Sequence, residues 1–194
     1  MGPVSDRFDN EPQAAIAVLE RVIVRARDLE SEILAAYDEH EARLKAFALA
    51  AVRDGTTADD LVQESFLRLI TEMRDGPAPD NVGAWLFRVC ANLIASRGRR
   101  LSVARRWLPR LVDRDTGRTP EDVIVRREGE DAVIAALGRL APDARLALLL
   151  AAQGLDSAEI GAAIRKSPGA TRTMICRSRA RLRSLIAGVE EGAL

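Results

Sequence analysis

The sequence predicts an all-α protein: two small helical domains joined by a polar linker, preceded by a helical extension. Three observations predict it. Every periodic stretch of the 194 residues repeats its apolar positions at helical spacing, and none alternates as a half-buried strand would. Residues 108–120, with Pro109, Gly117, Pro120 and mixed charges, divide those stretches into two groups as a linker does. Residues 154–183 then read as a helix, a tight turn and a strongly basic second helix.

Residues 12–34 place Ala15, Leu19, Val22, Ala26, Leu29 and Ile33 at alternating spacings of four and three, a coiled-coil-like stripe. So few heptads rarely sustain a coiled coil, and the stripe is expected to pack on the domain that follows. Residues 31–53 form a second helical stretch, with Leu34, Tyr37, Leu44, Phe47 and Ala51 on its apolar side, ended by Asp54-Gly55. Thr57 is expected to cap the next helix, about 58–74, putting Asp59 and Asp60 in its first turn where the dipole favours acids. That helix would bury Val62, Phe66, Leu69, Ile70 and Met73. Residues 75–80, with two prolines and a glycine, make a loop. Asn81 or its neighbour starts a helix containing Trp85, Leu86, Val89, Leu93 and Ile94, with Trp85 and Phe87 in the core. Beyond the linker, residues 121–139 and 143–153 form two helices parted by Ala141-Pro142.

The last pair is the most informative. Leu155, Ile160, Ala163 and Ile164 give the first helix one buried face. Ser167-Pro168-Gly169 breaks the run, and Pro168 suits the first position of a new helix, whose N–H has no partner anyway. The second helix, roughly Pro168–Ile186, carries Arg172, Arg177, Arg179, Arg181 and Arg183 and no acid. A solvated surface helix would mix signs to gain i,i+4 pairs. A supporting helix, a turn and an all-basic helix match a helix-turn-helix, whose second helix enters the DNA major groove.

Total charge is balanced, 29 basic against 29 acidic residues, but its distribution is not. Residues 88–111 hold seven arginines (Arg88, Arg97, Arg99, Arg100, Arg105, Arg106, Arg110) and no acid; residues 165–183 hold six arginines plus Lys166 and again no acid. Two basic segments about 60 residues apart suggest two contacts with one polyanion. The preference for Arg suits bidentate phosphate and guanine contacts, although codon usage explains it equally well.

Cys90 and Cys176 both fall within predicted helices, and one histidine, His40, leaves no zinc-binding set. Buried or half-buried free thiols in a reducing cytoplasm are expected. The acidic, polar start is not a signal peptide, and the longest apolar run, Leu146–Ala152, is too short to cross a bilayer, so a cytoplasmic protein without membrane insertion is expected. No catalytic constellation, glycine-rich phosphate loop or cofactor motif is visible, which argues against an enzyme.

DDLVQESFLRL (59–69), NVGAWLFRVCANLIASRGRR (81–100) and GLDSAEIGAAIRKSPGATRTMICRSRAR (154–181), in this order, resemble the extracytoplasmic-function class of bacterial sigma factors over roughly residues 31–187. The resemblance implies a domain at 31–107 that grips core RNA polymerase and melts the minus-ten promoter element. It implies a linker at 108–120 and a domain at 121–194 that reads the minus-thirty-five element, with residues 1–30 as an extension. Polymerase contact would fall on Asp59, Asp60, Leu61, Gln63 and Glu64, carboxylates and an amide around one exposed apolar anchor. Minus-ten DNA would meet Asn81, Arg88, Asn92, Arg97, Arg99 and Arg100, with the 75–81 loop holding a flipped base. Minus-thirty-five DNA would meet Lys166, Ser167, Arg172, Thr173, Arg177 and Arg179. An anti-sigma factor is the implied regulator. Arg165 stands where the family often has a turn glycine, so another turn conformation or a shifted turn is expected. Met174 replaces a residue that is often basic, and Ser96 one that is usually acidic. The competing readings are a sigma-like decoy that sequesters an anti-sigma factor without binding DNA, and a dimeric helix-turn-helix repressor.

Overall fold

A computed structural model describes residues 11–107 and 128–191, and over them the chain forms seven α-helices and no strand. The 108–120 linker and the first residues of the expected 121–139 helix lie outside this range.

The first helix, α1, runs unbroken over Glu11–Val52 where two stretches were expected. Between Gln13 and Arg53 there is neither Pro nor Gly, so nothing in the chain stops it. It ends on Arg53, whose left-handed φ of 63° lets its N–H reach the Leu49 carbonyl at 2.8 Å. The buried row of α1 is Ala36, Leu44, Phe47 and Ala48, with Leu29 and Ile33 leaning on its upper end. Leu34 and Tyr37 sit one position off that row and are exposed. Of the described side chains of the N-terminal stripe only Leu29 and Ile33 pack on the domain: Val22 faces solvent, as do neighbouring Ile16 and Ile23, and Leu19 is 60% exposed.

Helix α2 (Gly55–Asp75) begins earlier than predicted, because Asp54 and not Thr57 is its cap. Asp54 Oδ1 accepts from Thr57 N at 2.7 Å, which holds the Asp54 carboxyl below its ordinary pKa. Asp59 and Asp60 consequently lie in the second turn. Leu61, Val62, Phe66, Leu69 and Met73 are buried, whereas Ile70, expected inside, is 37% exposed. Helix α3 (Val82–Trp107) is capped by Asn81, whose Oδ1 accepts from Ala84 N at 2.8 Å. It sets Leu86, Phe87 and Cys90 into the core, with Phe87 edge-on to Phe47 at 5.3 Å; Trp85 is only half-buried. Burial pushes the Cys90 thiol up to about 12 against an opposing hydrogen bond with Ser65. Cys176, expected to be at least half-buried, is exposed.

Four helices follow: α4 (Glu128–Gly138), α5 (Pro142–Ala152), α6 (Ser157–Ile164) and α7 (Pro168–Glu191). Their core is Leu137, Leu140, Leu146, Leu150, Ile160, Ile164 and Ile175. Full burial of one such side chain contributes about 1.5–3 kcal/mol. The two bundles touch through α6 on α3 and α5 on α1 and α3. At that seam lies a group to which sequence reasoning assigned no role. Arg145, 8% exposed, spends its guanidinium on four backbone carbonyls, those of Leu137, Gly138, Leu140 and Ala51.

Candidate nucleic-acid interface

The helix-turn-helix is built by three local devices. Asp156 and Glu159 form a capping box at the start of α6: Asp156 Oδ1 accepts from Ala158 N and Glu159 N, and Glu159 Oε2 accepts from Asp156 N at 2.9 Å. Arg165 ends α6 in the left-handed region, φ 57° and ψ 49°, where a glycine would be strain-free. The turn therefore keeps the conformation that a glycine serves, with an arginine in it, and neither a different turn nor a shift is used. Ser167 then opens α7, its Oγ accepting from Ala170 N at 3.3 Å.

Helix α7 turns Thr171, Ile175 and Ser178 inward. At about 100° per residue its opposite side carries Thr173 and Arg177, flanked by Arg172 and Arg179, all exposed. Five of the six residues expected at minus-thirty-five DNA are thus exposed: Ser167, Arg172, Thr173, Arg177 and Arg179. Lys166 is half-buried and lies 3.6 Å from the Asp143 carboxylate, and Arg172 Nη1 reaches Ser157 Oγ at only 3.5 Å. No acid precedes Glu190 on this helix.

On α3 the expected set divides. Arg88, Asn92 and Arg99 recur within about 40° of one another and share one side with Trp85 and Ser96. Arg99 donates to Ser96 Oγ at 2.9 Å, and Arg88 is paired with Glu159 of α6 at 3.2 Å. Arg97 projects from the opposite side, where it donates to Thr57 Oγ1 at the start of α2. Arg100 is exposed between the two sides. Asn81 is exposed, with its side-chain oxygen committed to the cap. Beside this face an open groove of about 570 Å³ is lined by Arg68, Thr71, Glu72, Asp75, Gly76, Trp85 and Val89. The half-buried Trp85 gives it a flat apolar wall.

The third surface is the outer side of α2. Asp60, Gln63 and Glu64 are there, with Glu64 joined to Arg68 at 2.9 Å, while Asp59 lies further round and meets Lys45 at 2.8 Å. Leu61 does not belong: it is 6% exposed and packs inward, because it falls on the same row as Ser65 and Leu69. The exposed apolar residue on the same side as these carboxylates is Leu67, 52% exposed and one turn beyond Glu64, with Ile70 near it. Both stand one turn or more beyond Gln63, where a motif centred on the acids does not direct attention. Among the described residues no three His, Cys, Asp or Glu side chains gather as a metal site.

Two family models match these two bundles in order: Sigma-70 region 2 over residues 36–104 and Sigma-70 region 4 over residues 130–182. Region 2 followed by region 4 marks an initiation factor of the sigma-70 type. Among curated proteins, ECF RNA polymerase sigma factor EcfG of Rhodopseudomonas palustris is 30% identical over 81% of this chain and 84% of its own. RNA polymerase sigma factor CarQ of Myxococcus xanthus is 30% identical over 89% and 97%. Among solved structures, sigma factor RpoE bound to the anti-sigma factor NepR from Bartonella quintana shares the fold with a TM-score of 0.61 at 23% identity, over 83% of this chain and 98% of that one. CnrH in complex with the cytosolic domain of CnrY does so with 0.54 at 23%, over 86% and 96%. The chain belongs to the extracytoplasmic-function sigma factors of the sigma-70 family. It is a non-enzymatic subunit that binds RNA polymerase and promoter DNA in transcription initiation. No described helix is long and apolar enough to cross a membrane.

Proposed function

We propose that the three surfaces divide the work of initiation. Residues 31–107 form the domain that docks on core polymerase through Asp60, Gln63 and Glu64 beside Leu67, with Asp59 at the rim, and that captures the minus-ten strand through Asn92, Arg99 and Arg88. Arg100 and Asn81 border that face and serve backbone contact, and Arg97, on the opposite side of α3 beside Thr57, meets phosphate away from it. Phosphate neutralisation and base capture by stacking on Trp85 offset the cost of unpairing, a few kcal/mol per base. Residues 121–194 form the domain that reads the minus-thirty-five duplex: Arg172, Thr173 and Arg177 reach base edges, while Lys166, Ser167 and Arg179 hold phosphate at and beside the start of α7. The observation that carries this reading is the solvent face of α7, free of carboxylates from Pro168 up to Glu190 and standing on a capped and tightly turned support. The work is done in the cytoplasm, and an anti-sigma protein is the regulator: the two solved sigma factors that share the fold are complexes with NepR and CnrY.

In vitro transcription with core enzyme tests the assignment. Arg172→Ala with Arg177→Ala is expected to abolish dependence on the minus-thirty-five element, each arginine contributing about 1–3 kcal/mol of discrimination, while core binding is kept. Unchanged promoter selectivity in that double variant would remove α7 from the reading surface.

A further inference from the structure

Three polar contacts tie the bundles together, and one ends on a group that DNA binding needs. Arg88 Nη1 donates to Glu159 Oε1 at 3.2 Å, both side chains partly exposed. Glu159 remains the capping residue of α6 through its other oxygen, which accepts from Asp156 N. The second contact is Arg145. Its Nε bonds the Leu137 carbonyl at 2.9 Å, and its Nη2 bonds those of Gly138 and Leu140 at 3.1 and 3.3 Å, all within its own bundle. Its Nη1 crosses 94 positions of sequence to the Ala51 carbonyl at 2.9 Å. Those acceptors belong to the C-terminal ends of α1 and α4 and the turn after α4, where unpaired carbonyls concentrate partial negative charge. Alongside, the Arg53 guanidinium lies against Gly138, where a Cβ would come within 2.9 Å of Nη1. An exposed bond from Arg43 Nη2 to Gln153 Oε1 at 3.0 Å adds to the seam.

We propose that this seam is an intramolecular latch in which the Glu159 carboxylate takes the place of a DNA phosphate on Arg88, while Arg145 holds the bundles closed through the Ala51 carbonyl. The inference rests on the reading of Arg88 as a minus-ten contact. Closed, the latch withholds Arg88 from DNA and lays α6 against α3. Opening costs Arg145 one of its four bonds, and three acceptors stay with it, so the second bundle keeps its fold while the first departs. Promoter phosphates compete with Glu159 for the same guanidinium, which couples DNA capture to opening.

The test uses the full chain without polymerase, in two variants. Glu159→Gln with Arg43→Ala removes the cross-bundle charge pair and leaves an amide able to keep the capping box. Arg145→Lys keeps the charge but loses the fork. Small-angle X-ray scattering is expected to show a larger radius of gyration for both, with unchanged helical circular dichroism. The affinity of the first variant for single-stranded DNA is expected to rise about two- to five-fold, the scale of a partly exposed ion pair. Unaltered dimensions in both folded variants would overturn the latch. A lower melting temperature without expansion in Arg145→Lys would reduce Arg145 to a brace within its own bundle. Expansion without tighter DNA binding would uphold the latch and instead overturn the role of Arg88.

Discussion

Gly161 in α6 faces the Lys166 carbonyl and Thr171 in α7 at distances that only a hydrogen permits. A Cβ at Gly161 would stand 2.5 Å from the Lys166 oxygen and 3.0 Å from Thr171 Oγ1. The first of these neighbours is backbone in the turn itself and cannot swing away. Thr171 is also held, its Oγ1 donating to the Ser167 carbonyl at 3.0 Å. The angle between the two helices, and so the presentation of Arg172 and Arg177, is set by this one missing side chain. Gly161→Ala is expected to cost about 1–3 kcal/mol, as overpacking does, and to weaken promoter binding beyond what the lost stability explains. Chemical denaturation beside promoter binding at a temperature where the variant is fully folded would check both parts.

Arg165 makes the opposite prediction. Its left-handed backbone costs a residue with a Cβ about 1–2 kcal/mol, of which a glycine recovers all but its greater unfolded-state entropy. Its side chain is exposed. Arg165→Gly is expected to stabilise the chain by about 0.5 kcal/mol, read as a higher urea midpoint at constant slope. A lower midpoint would mean that the guanidinium has a structural partner worth more than the strain.

The outer face of α2 separates binding from stability at neighbouring positions. Asp60→Arg with Glu64→Arg is expected to weaken pull-down of core polymerase and leave thermal unfolding nearly unchanged. Leu67→Ala should act in the same direction, because it removes an exposed anchor. Leu61→Ala should instead lower stability by about 2–5 kcal/mol, as loss of a buried leucine does. Normal core binding in the Leu67 variant would return the anchor role to another residue.

The two thiols are expected to react at very different rates. At mildly alkaline pH a thiol reagent should modify Cys176 quickly and Cys90 only on unfolding, so native protein titrates one thiol and denatured protein two. Linkage follows from the same burial. The ordinary thiol value is 9.0, and folded Cys90 holds its proton to about 12. Below pH 9 both states are protonated and stability is unaffected; between those limits the unfolded chain binds fewer protons, so stability falls as pH rises. Cys90→Ala should flatten that part of the profile, measured by denaturation across alkaline pH.

The helical architecture was legible because its signals are local. Periodicity placed the helices, apart from dividing α1 in two, and the Ser167-Pro168-Gly169 break marked the reader. What escaped depends on partners distant in sequence or on chain stiffness. Leu61 and Leu67 are the same residue type six positions apart, and only the packing of α2 on α1 and α3 decides which is buried. Arg97 and Arg99 look alike in a basic run, yet two positions on a helix turn one toward Thr57 and the other toward Ser96. Arg145 had no motif at all: its four acceptors are carbonyls, which every residue owns, and one is 94 positions away.

The continuity of α1 has a mechanical consequence. From Leu19 to Ala51 the helix spans about 48 Å at its usual rise, without a hinge residue on the way. Leu19 belongs to the bare apolar ridge at one tip, and Ala51 offers the oxygen grasped by Arg145 near the other. A molecule that seizes the ridge therefore pulls on a stiff lever whose far end is the catch between the two halves of the protein.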